Sequence, residues 1–286
     1  MIEPGQPHTP TADRTNAGSE SQASDRPAEF VEALAKGLAI LESFDAASPE
    51  MTLSEISRKL GLSPAAARRS LITLTALGYI GQNGKRFHLR PKILTLGSGF
   101  YYSARIDEVL QPFLRDLVAR FGDASSVATL DGSDVIYIAH SSVQRARRAT
   151  ATVGARYPAC ATSVGRVLLA ALPPAQFDHY MSDLKIKPLT SKTIIDPVDL
   201  RTEIAQVRDT GFATTVDQLD YGITALAVPI RTADGRTIAA LNTSGYSGMI
   251  DANYLIRERL PELRTVASSI SQTLSRYPAL ASVIGQ

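Results

Sequence analysis

The sequence has no tryptophan, a single cysteine and no long apolar run. Cys160 alone excludes an internal disulfide and a Cys-x-x-Cys redox pair. A membrane-spanning helix needs about 20 consecutive apolar residues, and none occurs, so no membrane partner is expected. The N-terminus has no basic start and no apolar stretch, so no secretory signal is expected and a cytoplasmic location fits. There is no Gly-rich phosphate loop and no Gly-x-Ser-x-Gly. The histidines His8, His88, His140 and His179 lack metal-ligand spacing. Cys160 has no histidine close in sequence to activate it. These absences argue against an enzyme, and neither a catalytic residue, a metal nor a cofactor is expected.

What is present suffices for two domains. The chain has 286 residues, 44% of them hydrophobic, and domains average roughly 100–200 residues. Residues 1–28 are polar and rich in Pro, Ser and Thr, a composition that buries too little surface to offset its ordering entropy. A disordered tail is expected there. Helical spacing of Val31, Leu34, Leu38 and Leu41 predicts a helix to Asp45. Thr52 and Glu55 form a capping box for a helix over Leu53–Leu60, which Gly61 ends. Ser63 caps a third helix, Pro64 takes its first position, and it runs to about Leu77. Tyr79 to Leu89 reads as a β-ribbon turning at Asn83-Gly84. This is a winged helix-turn-helix over 29–90.

A helix over 91–105 is expected to link it to a second domain over 106–278. There, helical periodicity continues to Phe121. Strands follow at Ser125–Leu130, Val135–Ala139, Phe212–Val216, Ile223–Ile230 and Thr237–Thr243, with helices at Thr162–Ala171, Pro174–Ser182, Val198–Thr210 and Asp251–Arg276. Clustered strands with flanking helices give an α+β domain on an antiparallel sheet, not a doubly wound one.

Net charge is only +2, but its placement is informative. Between Ile56 and Ile106 stand Arg58, Lys59, Arg68, Arg69, Lys85, Arg86, Arg90, Lys92 and Arg105, with no Asp or Glu. Such a face attracts double-stranded DNA by counterion release. The third helix would bury Ala67, Leu71 and Leu74, and turn Ala65, Arg68, Arg69 and Thr73 outward toward base edges or phosphates. Lys85 and Arg86 sit at the ribbon tip, and Thr52, Ser54 and Ser63 offer hydroxyls at helix starts. Specific reading by so small a module calls for a homodimer, with Leu94, Leu96, Phe100, Tyr101 and Tyr102 of the linker offered to the partner. The alternative is a ligand-sensing protein whose helix-turn-helix contacts proteins.

From Phe30 to about Tyr277 the chain resembles the IclR family of bacterial transcriptional regulators. Ala35-Lys36-Gly37-Leu38, Leu53-Ser54-Glu55-Ile56, Gly61-Leu62-Ser63 and Leu77-Gly78-Tyr79-Ile80 carry the N-terminal likeness. Ala161 to Ala170, Gly222 to Pro229, Asp234-Gly235 and Ala239 to Gly245 carry the C-terminal one. Within the family, Ala65-Ala66-Ala67-Arg68-Arg69 and Ala159-Cys160-Ala161-Thr162-Ser163 look closest to regulators of aromatic-acid catabolism through the β-ketoadipate pathway, those for protocatechuate and 4-hydroxybenzoate.

The resemblance implies a GAF-like effector domain, a dimer or tetramer, and operator binding switched by a small organic acid, aromatic or dicarboxylic. It also implies an effector pocket at Thr162, Ser163, Val164, Thr215, Asp217, Ala225, Asn242 and Ser244. Independently, backbone N–H groups at a helix start near Thr162 suit a carboxylate. Relatives often read Gly-Leu-Arg-Ser where this chain has Gly222-Ile223-Thr224-Ala225. If that arginine assists effector binding in relatives, either the ligand here differs or Arg148 or Arg156 compensates, and nothing in the sequence places those two in the pocket.

Overall fold

The computed structural model describes residues 27–45, 47–103, 105–143 and 152–285. The expected tail lies outside them as far as residue 26. The chain divides into two compact units between Gly97 and Ser98.

The first unit holds α1 (Glu32–Glu42), β1 (Glu50–Thr52), α2 (Leu53–Leu60), α3 (Pro64–Ala76), β2 (Ile80–Asn83) and β3 (Arg86–Leu89). The local chemistry sets the ends of α2 and α3. Thr52 Oγ1 accepts from the Glu55 N–H while Glu55 accepts from the Thr52 N–H, closing the capping box. Gly61 ends α2 at φ +63°, and Ser63 Oγ accepts from the Ala66 N–H at the start of α3. Ile40, Leu41, Met51, Ile56, Leu71, Leu74 and Ile80 form the core. Burying each such side chain stabilises the fold by roughly 1.5–3 kcal/mol.

Three features differ from the sequence reading. The stripe on α1 is buried only at its end: Ile40 and Leu41 are buried, whereas Leu34 and Leu38 are 61% and 47% exposed. β1, not expected as a strand, pairs with β3 and makes the wing three-stranded in the order β1-β3-β2. The hairpin turns at Gly84-Lys85 rather than Asn83-Gly84, because Asn83 pairs with Arg86. Only Gly84, at φ +58°, needs the left-handed conformation there.

Over 91–105 a 3-10 turn (Pro91–Ile93) precedes α4 (Leu94–Ser103). The second unit continues with α5 (Ile106–Val109) and α6 (Gln111–Phe121), two helices where one was expected. Pro112 forces the break, having no N–H to continue the ladder. Then come β4 (Ala124–Asp131), β5 (Asp134–Ser142), β6 (Arg156–Pro158), α7 (Ser163–Ala170), α8 (Pro174–Asp183), α9 (Pro197–Thr210), β7 (Ala213–Val216), β8 (Ile223–Arg231) and β9 (Thr237–Tyr246). The final helical run is α10 (Ala252–Tyr254), a π-helical turn (Leu255–Arg259) and α11 (Leu260–Ser275), followed by α12 (Pro278–Ile284). Neither β6 nor α12 was foreseen. Leu280 and Ile284 of α12 are buried, so this core extends past residue 278.

The six strands form one antiparallel sheet in the order β6-β5-β4-β9-β8-β7. Residues paired across strands share a face. One face carries Val127, Leu226, Val228, Ile230 and Leu241, packed with Leu114, Leu117, Leu263 and Ile270 of α6 and α11. The other carries small side chains: Ala124, Ser126 and Ala128 on β4, Ala225 and Ala227 on β8, and Ala240, Asn242 and Ser244 on β9. Helix α7 covers that second face through Val164, Val167 and Leu168. Its first turn lies close on the preceding Ala159–Ala161 turn because residue 165 is glycine. A Cβ there would stand 2.1 Å from the Ala159 carbonyl oxygen.

Candidate functional site

In the first unit, α3 turns Ala65, Arg68, Arg69, Ile72 and Thr73 to solvent and buries Ala67, Leu71 and Leu74. Arg68, Arg69 and Lys85 make no ion pair among the described residues. The basic window is partly neutralised from outside itself. Lys59 Nζ lies 2.7 Å from Asp45 Oδ2, and Arg86 Nη1 lies 3.7 Å from Glu55 Oε2 and 3.2 Å from the Glu50 carbonyl oxygen. The Arg86 side chain is therefore held along the wing. Thr52 is also committed, since its hydroxyl donates to Glu55 and accepts from the Glu55 N–H. Hydrogen bonds from the Thr52 N–H first and then from its hydroxyl hold the Glu55 carboxyl below the usual range. Ser63 caps α3 with its side-chain oxygen, while Ser54 is exposed in the first turn of α2.

In the second unit, the start of α7 and the small-residue face of the sheet border a cavity of about 130 Å³. One water needs roughly 10–15 Å³, so the space suits a small organic molecule. Thr162, Ser163, Thr215, Ala225, Asn242 and Ser244 line it. Val164 and Asp217 do not. Val164 points into the core with no exposed surface. Asp217, at φ +55°, turns its carboxylate to the Gly222 N–H and the Ser247 hydroxyl, both at 2.7 Å, and so closes the 217–222 loop.

The rest of the lining was not read from the sequence. Tyr137, Tyr157, Leu219 and Ile223 form apolar walls, and Tyr137 and Tyr157 meet edge to face at 5.5 Å. His140 and Ser126 face the cavity, with Ser126 Oγ 2.9 Å from His140 Nδ1. A register shift between Val127 and Ala128 puts Tyr137 opposite Ala128 and His140 opposite Ser126. The bulge thus brings two residues three apart onto one face, which strict alternation would forbid. Burial holds the His140 imidazole below its ordinary range.

The polar end of the cavity lies at the start of α7. Thr162 Oγ1 accepts from the Gly165 N–H at 3.0 Å and is committed to the cap. The Ser163 and Val164 N–H groups precede it in the first turn, where a helix supplies no internal acceptor. Ser163 Oγ is buried without a hydrogen-bond partner. No lysine or arginine lines the cavity among the described residues. Arg156 does not replace the missing arginine, since it pairs with Asp131 and Asp134 at the β6 edge. Arg148 lies outside the described residues. Arg166, with no exposed surface, hydrogen-bonds the Cys160 carbonyl (3.1 Å), Glu203 (3.2 Å) and Gln218. It thereby ties α7 to α9 and to the loop carrying Leu219.

Residues 33–84 match the IclR helix-turn-helix domain, and residues 100–272 match the bacterial transcriptional regulator IclR C-terminal domain. The chain belongs to the IclR family of bacterial transcriptional regulators. It is similar to the Pca regulon regulatory protein of Pseudomonas putida, at 36% identity over 86% of this chain and 85% of that one. Its fold matches the crystal structure of a transcriptional regulator from Rhodococcus sp. RHA1, at 39% identity, a TM-score of 0.71, and coverage of 87% of this chain and 100% of that one. The inducer-binding domain of the transcription factor PobR from Acinetobacter, a double mutant in complex with 3-hydroxybenzoic acid, matches at 33% identity and a TM-score of 0.54. It covers 57% of this chain and 96% of its own.

As a member of this family the chain is a regulator and not an enzyme. It pairs an operator-DNA module with an effector-binding one, and the reading of its helix-turn-helix as a protein-contact device is set aside. No helix among the described residues is long and apolar enough to cross a membrane.

Proposed function

We propose that this regulator acts in the cytoplasm as a homodimer whose operator affinity is set by an aromatic acid, and that it controls an operon of aromatic-acid catabolism. The observation that carries the reading is the cavity: apolar and aromatic along its walls, with unpaired donors at the start of α7. A benzoate-type molecule matches this division. Its ring packs against Tyr137 and Tyr157, and its carboxylate takes the α7 N–H groups and the Ser163 hydroxyl. With no cation in the lining among the described residues, neutral donors and the helix dipole balance the charge there.

On the DNA side, α3 enters the major groove with Ala65, Arg68, Arg69 and Thr73. Lys85 at the ribbon tip, with Ser54, meets the backbone. The working domains are the winged helix-turn-helix of the first unit and the effector unit that begins near α4. For assembly, Val31, Leu34 and Leu38 on α1 and Leu94, Leu96 and Tyr102 on α4 are large, apolar and exposed. A second copy covers such surface at least cost.

The test is a gel-shift titration with DNA upstream of the protein's own gene, with and without 4-hydroxybenzoate or 3,4-dihydroxybenzoate. Affinity is expected to fall steeply with salt and to change on adding one of these acids. Indifference to both acids, and to benzoate, refutes the aromatic-acid reading. Light scattering at micromolar concentration that gives a monomer with operator present refutes the dimer.

A further inference from the structure

The cavity has a second polar end, on the sheet floor. His140 Nε2 and Asn242 Oδ1 are both buried, both on residues lining the cavity, and both without a hydrogen-bond partner. The register places them in one row: Asn242 on β9 stands opposite Ser126 on β4, which stands opposite His140 on β5. At about 4.8 Å per strand, the row spans roughly 10 Å of backbone. The imidazole is not free to turn away, because Nδ1 is held by Ser126 Oγ at 2.9 Å. Buried polar atoms are rarely left unpaired, and each one demands an account. Two in one row, facing the same cavity, point to a polar group on whatever fills it. Asp123, the acidic side chain in the lining, is already taken by Arg259 at 2.8 Å and does not compete for that group.

We propose that His140, oriented by Ser126 and assisted by Asn242, reads a hydroxyl group on the effector's ring, so that this regulator selects hydroxylated aromatic acids over unsubstituted ones. The assignment rests on the effector being an aromatic acid. A phenolic hydroxyl both donates and accepts. When Ser126 donates its proton to Nδ1, the neutral ring carries N–H at Nε2. The phenol oxygen accepts from it, and the phenol proton goes to Asn242 Oδ1. One hydroxyl, or two on adjacent ring carbons, satisfies the row. Benzoate leaves both atoms buried and unpaired, the arrangement by which a site rejects an analogue that lacks a hydroxyl.

Calorimetry on the full chain with benzoate, 4-hydroxybenzoate and 3,4-dihydroxybenzoate tests this. The wild type is expected to bind a hydroxylated probe at least about tenfold more tightly than benzoate. His140→Phe is expected to bring that ratio to within about twofold. His140→Gln, which keeps a donor, should retain part of it. Ser126→Ala, a smaller change that avoids any folding defect of the phenylalanine variant, should lower the ratio several-fold by releasing the ring. A general structural role would weaken all three probes together and leave the ratio intact. A wild type that binds benzoate as tightly as both hydroxylated probes, or a ratio that survives both His140→Phe and Ser126→Ala, overturns this assignment alone. Binding of none of the three overturns the aromatic-acid reading and this assignment with it.

Discussion

Arg259 Nη2 lies 2.8 Å from Asp123 Oδ2 beside the cavity, with only 5% and 12% of the two side chains exposed. The same guanidinium donates to Thr243 Oγ1 at 3.1 Å and to the Phe121 carbonyl at 3.4 Å, and it stacks over the Phe121 ring. The π-helical turn over Leu255–Arg259 ends on this arginine, as such turns often do at functional positions. Removing one partner of a buried pair leaves the other uncompensated and costs about 3–5 kcal/mol. Arg259→Met is therefore expected to lower urea stability by that order, and Asp123→Asn in the same chain to restore part of the loss. A cost under about 0.5 kcal/mol, ordinary for a surface change, refutes the role.

The first turn of α7 packs directly on the Ala159 backbone because Gly165 has no Cβ. Gly165→Ala forces α7 off the Ala159 backbone, an overpacking cost of about 1–3 kcal/mol. Because the donors proposed for the effector sit on the first turn of α7, effector binding should weaken in parallel. Calorimetry together with thermal melting checks both, and unchanged values in each contradict the packing described.

For DNA, Arg69→Ala is expected to weaken operator binding by about 1–3 kcal/mol if the guanidinium meets a guanine edge. Lys85→Ala should instead weaken all sequences alike and reduce the salt slope by about one. Gel shifts at several salt concentrations separate the two behaviours. Operator affinity unchanged in Arg69→Ala removes that residue from the interface.

Acid should loosen the effector unit. His140 is held below 6.5 by burial, so the unfolded chain takes up its proton first as pH falls. Stability from the neutral imidazole is full above about pH 6.5. It declines as pH drops from there to the folded-state value, and then levels off. Urea midpoints between about pH 8 and pH 5 should show this decline, and His140→Phe should flatten it. A decline of equal size in the variant assigns the effect to other groups.

Much of the first unit was legible because its signals are local. Thr52, Glu55, Gly61, Ser63 and Pro64 act within a turn of where they stand, and they set the ends of α2 and the start of α3 as read. β1 was missed because its three residues become a strand only by pairing with β3, some 35 positions away. The candidate effector pocket split along the same line. Thr162 and Ser163 stood out at a helix start, and Asn242 and Ser244 as polar residues in an apolar strand. Val164 and Asp217 followed from the family likeness but turn to the core and to a loop closure. His140 and Ser126 carried no signal, since their partnership depends on strand register and on a bulge that breaks the two-residue alternation.

The two faces of the sheet divide labour in a way that bears on how such a sensor changes its ligand. Cohesion of the unit comes from the large aliphatic side chains turned toward α6 and α11, whereas the alanines and serines under α7 leave the space that a ligand fills. Exchanging Ala225 for valine, or Ser244 for alanine, alters the shape and polarity of that space and leaves the opposite face as it was. Chemical preference can therefore drift by single substitutions with little debt in folding stability, and one scaffold can serve regulons that answer to different acids.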